Sequence, residues 1–205
     1  MSRKPRLREF NAYLLAEIAG FSKNKGYQFE PASRDPRSPI NPRDPGYDGV
    51  EADVMYRGER VARARGDGAT YCCGVTFEIF MRAWVAWSGA EVVGDLDASD
   101  VRALIADWFC PTMGHSGVVS ALVDRGLGVQ IAQEHAQPGD LCQFWRSVDL
   151  GKPSGHSVLF LAFGARDGER TLEYWSSQPA TGGIGAHTEV IGPGWEIHLV
   201  RVGAE

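Results

Sequence analysis

Two residues in this chain stand where nucleophilic chemistry could be done: a cysteine at the head of a strongly apolar helical pattern and a histidine at the head of an apolar strand pattern. The cysteine, Cys72, is delivered by the glycine-bearing turn ARGDGATYCCG, Ala64 to Gly74. After it Phe77, Phe80, Trp84 and Trp87 recur at steps of three, four and three, so one face of the helix is apolar and belongs in a core. A thiol on the first turn of a helix meets unpaired backbone N–H groups and the positive end of the helix dipole, and both favour thiolate. A buried helix also fixes the sulfur, which attack on a carbonyl carbon requires. The competing reading is that Cys72 and the adjacent Cys73 are small core residues, cysteine being among the most buried types.

His156 follows a glycine and opens the run GHSVLFLAF. Imidazole titrates near neutral pH, can take a thiol proton and can return it to a leaving amine. It could equally be a satisfied core or edge histidine. His115, His135, His187 and His198 lack such surroundings, and His135 and His187 read as solvent-facing. Should Cys72 attack a carbonyl, its own backbone N–H at the helix start is an expected donor to the oxyanion.

The scaffold that would hold these groups can be read from periodicity. Leu7, Phe10, Leu14, Ile18 and Phe21 form one stripe of an N-terminal helix ending near Gly20, expected on the outside of the domain. Residues 31–47 carry five of the eleven prolines and read as a long loop, disordered or walling a site. A short strand is expected around Val54 and Met55. Beyond the cysteine helix, one helix capped by Ser99 turns Val101, Leu104, Ile105 and Trp108 inward, and another capped by Ser116 and stopped by Gly126 does the same with Val118, Val119, Leu122 and Val123.

From Pro138 the period approaches two, giving strands at Leu141–Arg146, His156–Phe163, Thr171–Ser177, His187–Ile191 and Glu196–Val202. Helices followed by antiparallel strands imply an α+β domain with the helices on one face of a meander. The stretch QPATGGIGAH lacks a following helix and a Walker lysine, so it reads as a mobile loop beside the site rather than a phosphate cradle.

Composition narrows the function classes. With 43% hydrophobic and 23% charged residues over 205 positions the chain is globular, and its length can bury a core without metal or disulfide. A net charge of −5 leaves no basic footprint for nucleic acid. No stretch reaches the ~20 apolar residues a membrane span needs. The basic start leads into Glu9 and not into an apolar leader, which reads as a cytosolic chain or one exported without a cleavable signal. Cys72, Cys73, Cys110 and Cys142 have neither disulfide-framework nor zinc spacing and are expected as free thiols.

The segment TYCCGVTFEIF resembles the nucleophile motif of the NlpC-type cysteine peptidases, in which a cysteine, a small residue, a glycine and an aliphatic residue open the central helix. Cys72, Cys73, Gly74 and Val75 stand in those places, while Tyr71 replaces the common aspartate. AQPGDLCQFW resembles the family's turn into its first sheet strand, and GHSVLFLAF the strand its catalytic histidine opens. The resemblance spans Asp53 to Val202, and the CHAP amidases share its general plan.

The resemblance implies a papain-like fold over residues 53–205, preceded by an N-terminal helix and proline-rich loop over 1–52, with a helical insertion over about 88–128. It also implies hydrolysis of peptide bonds in peptidoglycan by Cys72 and His156, without a cofactor. The group orienting the imidazole would come from the next strand, TLEYWSSQ. Taking Glu173 to face water, the Leu172 face is the inner one, which offers Gln178, the better acceptor, or Ser176. An upstream tyrosine that assists the oxyanion in that family would be Tyr56. Rival readings are a non-catalytic peptide- or glycan-binding module, an intracellular amidase or thioesterase, and a zinc site that uses Cys72 and His156.

Overall fold

The computed structural model describes residues 7–23, 25–30, 37–41, 46–90, 92–109, 117–146 and 154–203. Among the described residues, four α-helices, α1 (Leu7–Glu17), α2 (Cys72–Ser88), α3 (Ala98–Trp108) and α4 (Val118–Val123), accompany eight strands. A two-stranded ribbon joins β1 (Val54–Tyr56) to β2 (Glu59–Ala62). The main sheet contains β3 (Gly128–Ile131), β4 (Leu141–Arg146), β5 (Ser154–Arg166), β6 (Glu169–Gln178), β7 (Gly183–Val190) and β8 (Glu196–Val202). It is antiparallel, in the order β3-β8-β4-β5-β6-β7. The chain is thus α+β. Among the described residues no helix is long and apolar enough to cross a membrane.

The helical layer covers one face of this sheet. Phe77, Phe80 and Trp108 interlock edge-on or tilted at centroid distances of 5.4–5.7 Å, and Leu141, Leu159, Trp175 and Val200 meet them from the strands in one continuous core. Helix α1 joins that core instead of lying outside it. Phe10 and Leu14 are fully buried, and Phe10 sits against Phe80, Trp84 and Trp87. Among the described residues, α1 and α2 therefore share one core.

The centre of the other face is buried too. Cys142, Phe144, Val158, Phe160, Leu172, Tyr174 and Leu199 form a second cluster, with Trp195 stacked 4.9 Å from Phe144. The expectation of a single inner face on β6 is corrected by this: Glu173 is exposed, but Trp175 and Ser177 on its side of the strand are buried under the helices.

Turn chemistry fixes the sheet's position. At Pro138–Asp140, Gly139 takes φ +92°, and an added Cβ would press on Asn11. Asp140, fully buried, accepts from Arg201, from Asn11 Nδ2 and from the Gln137 backbone N–H at 2.7–2.8 Å. One carboxylate thereby ties α1 and β8 to the start of β4. Helix α3 is capped by Asp97, which forms a reciprocal capping box with Asp100, so the cap falls two residues before Ser99. Gly117 precedes α4. Ser116, Cys110, His115 and residues 31–36 and 42–45 of the proline-rich loop lie outside the described residues.

Candidate active site

The cysteine motif folds as a helix head because the chain around it is locked from three sides. Tyr71, the N-cap residue, is extended and buried, and its ring packs on Tyr47, Phe29 and Phe109 at 5.3–5.8 Å. Residues 48–49 run directly against the first turn of α2: a Cβ on Gly74 would overlap the Asp48 carbonyl oxygen and the Gly49 backbone. A Cβ on Gly49 would in turn strike the Tyr71 ring. Within the helix, Thr76 Oγ1 donates to the Cys72 carbonyl at 2.8 Å and accepts from Trp108 Nε1 at 3.1 Å, which ties the first turn to α3. Gly74→Ala is therefore expected to cost about 1–3 kcal/mol through overpacking, measured by urea denaturation. A stability equal to the parent protein would mean that residues 48–49 are free to move away.

Cys72 reaches the sheet where two strands part. Strand β5 pairs with β4 along its whole first half, from Ser154 opposite Arg146 to Leu159 opposite Leu141. Its ladder with β6 ends at Leu159 opposite Trp175, whereas β6 continues to pair with β7 as far as Gln178. The head of α2 straddles this parting. Thr70 Oγ1 donates to Ser177 Oγ on β6 at 2.7 Å, and Cys73 Sγ lies 3.5 Å from Ser157 Oγ on β5. Ser157 Oγ in turn donates to Gln143 Oε1 at 2.6 Å.

The Cys72 thiol is buried, 6% exposed, and its pKa is held well below the ordinary thiol value. The adjoining Cys73 thiol, with sulfurs 3.7 Å apart, contributes most to this. Burial works against the thiolate, while the charge and hydrogen bonding of His156 and the Ser157 backbone N–H stabilise it. The structure thus brings Cys72 and His156, the two sequence-derived candidates, to one place.

His156 is buried on the sheet face away from the helices. Its ring meets Phe144 and Tyr174 edge-to-face at 5.5 and 5.4 Å. The glycine before it is required by packing, since a Cβ on Gly155 would run into the Trp145 ring.

Both sequence candidates for orienting the imidazole are buried nearby in β6, but neither bonds to it. Ser176 donates to the Ser157 carbonyl at 2.7 Å and so bridges the strand parting. Gln178 spends its amide nitrogen on Thr181 Oγ1 and the Gly185 carbonyl. Among the described residues, His156 Nε2 and Gln178 Oε1 are buried atoms without a hydrogen-bond partner.

Tyr56 is not at the site. Its hydroxyl donates to the Leu96 carbonyl and accepts from the Val93 N–H, pinning the segment that comes after α2. It lines a cavity of about 230 Å³ with Met81, Trp84 and Val85, on the distal half of α2. At ~1.5 Å per residue, that is more than about 13 Å along the axis from Cys72.

The tyrosine that does approach the sulfurs is Tyr27. It forms an isolated parallel bridge with Thr70, and hydrogen bonds from Gly26 N to Gly182 O and from Thr70 N to Gly26 O seat its segment between the cysteine turn and the start of β7. Burial, followed by the negative charge of Cys72 and Cys73, pushes the Tyr27 phenol up to about 12. No local pattern marks Tyr27 in the sequence, because its approach depends on a bridge to a distant residue. The same contact accounts for the glycine run at 182–185: Gly183, at φ +121°, faces the Gly26 backbone, and the run starts β7 instead of forming a mobile loop.

A second feature of the site lies under His156. Arg146 at the end of β4 forms a two-pronged ion pair with Glu189 on β7 at 2.6 and 2.8 Å, and the Tyr174 hydroxyl donates to the same carboxylate. Burial raises the proton affinity of Glu189, but Arg146 and Tyr174 outweigh it and hold the carboxyl below its usual range. His187, expected to face solvent, is half-buried here, its Nε2 3.9 Å from Glu189 Oε1. Among the described residues no cluster of three or more His, Cys, Asp or Glu is arranged to hold a metal ion. No family model, curated protein or solved structure matches this chain.

Proposed function

We propose that the protein is a cysteine-dependent hydrolase of amide bonds, with Cys72 as nucleophile and His156 as base. The observation that carries this reading is a helix-head thiol, its pKa lowered, beside an imidazole at a parting between two strands. His156 takes the thiol proton, and the sulfur attacks the carbonyl carbon. The Cys72 backbone N–H at the helix start would donate to the oxyanion, and Tyr27 is the candidate for a second donor. The proton then passes from His156 to the leaving amine, and water, activated by the same imidazole, releases the acyl group from sulfur. The likeness of TYCCGVTFEIF and GHSVLFLAF to the NlpC-type peptidases, and a papain-like reading of the α+β fold, favour a peptide substrate of the peptidoglycan class.

Thiol reactivity provides the test. A free thiol of ordinary pKa is only about 0.3% thiolate at pH 6. A lowered pKa raises that fraction on the acid side, so Cys72 should be alkylated by iodoacetamide at pH 6 on the order of tenfold faster than glutathione, or more, with the label mapped by peptide mass spectrometry. Labelling no faster than glutathione would point to a binding module instead. Incubation with muropeptides, read as newly released amino groups, tests the substrate class.

A further inference from the structure

We propose that Glu189, held by Arg146 and Tyr174, is the positioning residue that supports His156, the role expected of Gln178 or Ser176. The topology carries the argument. In the sheet β4 and β7 are separated by β5 and β6, yet Arg146 and Glu189 from those outer strands meet in a two-pronged ion pair. Three strand spacings amount to about 14 Å along a flat sheet. The pair therefore closes over the two middle strands, on the face where they carry His156 and Tyr174. Phe144 and Tyr174 grip the imidazole edge-on from either side. The Arg146 guanidinium lies 4.7 Å above the Phe144 ring, and the Tyr174 hydroxyl is fastened to Glu189. Each group touching the His156 ring on this face is thus anchored to the ion pair.

The charges around the imidazole are Cys72 and Cys73 from α2, Arg146 from β4, Tyr174 from β6, and His187 and Glu189 from β7, with Tyr27 beside the sulfurs. Glu189 senses the charge of His156, as Cys72 does. The imidazole is accordingly within electrostatic reach of both the thiol and the carboxylate. A carboxylate there favours imidazolium, the form His156 takes on receiving the thiol proton. Arg146 keeps Glu189 ionised and in place. Tyr174 sets the spacing. The significance for catalysis rests on the hydrolase reading, but the effect on the imidazole does not.

The test is the pH profile of Cys72 alkylation by iodoacetamide, with the label mapped by peptide mass spectrometry and folding checked by melting temperature. In Glu189→Gln, alkylation of Cys72 at pH 6 should slow about tenfold and recover at higher pH. Tyr174→Phe keeps both charges and removes only the hydroxyl bound to Glu189; it should slow alkylation in the same direction, which keeps the test open if the Glu189 variant unfolds. An unchanged profile in a folded variant of either kind overturns the proposal. Failure of the hydrolase reading looks different: no amine is released from muropeptides, while Cys72 alkylation still depends on Glu189.

Discussion

Cys72→Ala will abolish amide hydrolysis, with a loss of roughly 10⁴-fold or more in kcat, while Cys73→Ala will retain measurable turnover. The asymmetry arises from the site. Cys72 holds the lowered pKa and the neighbouring imidazole, and Cys73 acts on it from 3.7 Å while resting on Ser157. Removing Cys73 takes away the largest contribution to thiolate stability, so the acid limb of the pH–rate profile should move to higher pH. Melting temperature provides the control: Cys72→Ala deletes one small side chain, and a change of about 1 kcal/mol is expected. Full hydrolysis in Cys72→Ala, with loss in Cys73→Ala, would move the nucleophile to the second cysteine.

Asp140→Ala will destabilise the fold more than Gly74→Ala or Cys72→Ala, by about 3–5 kcal/mol. Its carboxylate is wholly buried and accepts four hydrogen bonds, two of them from Arg201, whose side chain is only 11% exposed. Truncation leaves that guanidinium without its partner in a desolvated place. For a chain of this size the melting temperature should drop by on the order of 10 °C. Replacing both partners with apolar residues, as in Asp140→Leu with Arg201→Met, should cost less than the sum of the two single changes, because no charge is then stranded. Urea unfolding of the four proteins closes the cycle, and a loss below about 1 kcal/mol in Asp140→Ala would show the carboxylate to be dispensable.

The parts of the fold that are legible in the sequence are those whose signals are local. The apolar stripe after Cys72, the strands from Leu141 onward and the turn at Pro138–Asp140 all reflect periodicity or turn chemistry within a few residues. Strands β2 and β3, four residues each, are too short to show a period. The cap of α3 is ambiguous in the sequence because Ser99 and Asp97 are both good capping types, and only the reciprocal bond with Asp100 separates them.

In the site, Cys72 and His156 are legible because each opens an element. The partners of His156 are not, since they depend on register. Choosing Gln178 and Ser176 assumes one buried face on β6, whereas Trp175 and Tyr174 are buried on opposite faces. The resemblance implies Tyr56 as the upstream tyrosine, whereas the approach of Tyr27 depends on an isolated bridge to Thr70 that no local pattern marks.

Two central strands of the main sheet are buried on both faces, and this bears on how the chain can vary. In a half-solvated strand every second position tolerates nearly any polar residue. Here five consecutive residues of β4, Leu141 to Trp145, and five of β6, Tyr174 to Gln178, are all inaccessible. A saturation library across these segments should therefore record unbroken blocks of intolerance rather than a two-residue rhythm, and compensating changes will have to come in pairs from both faces.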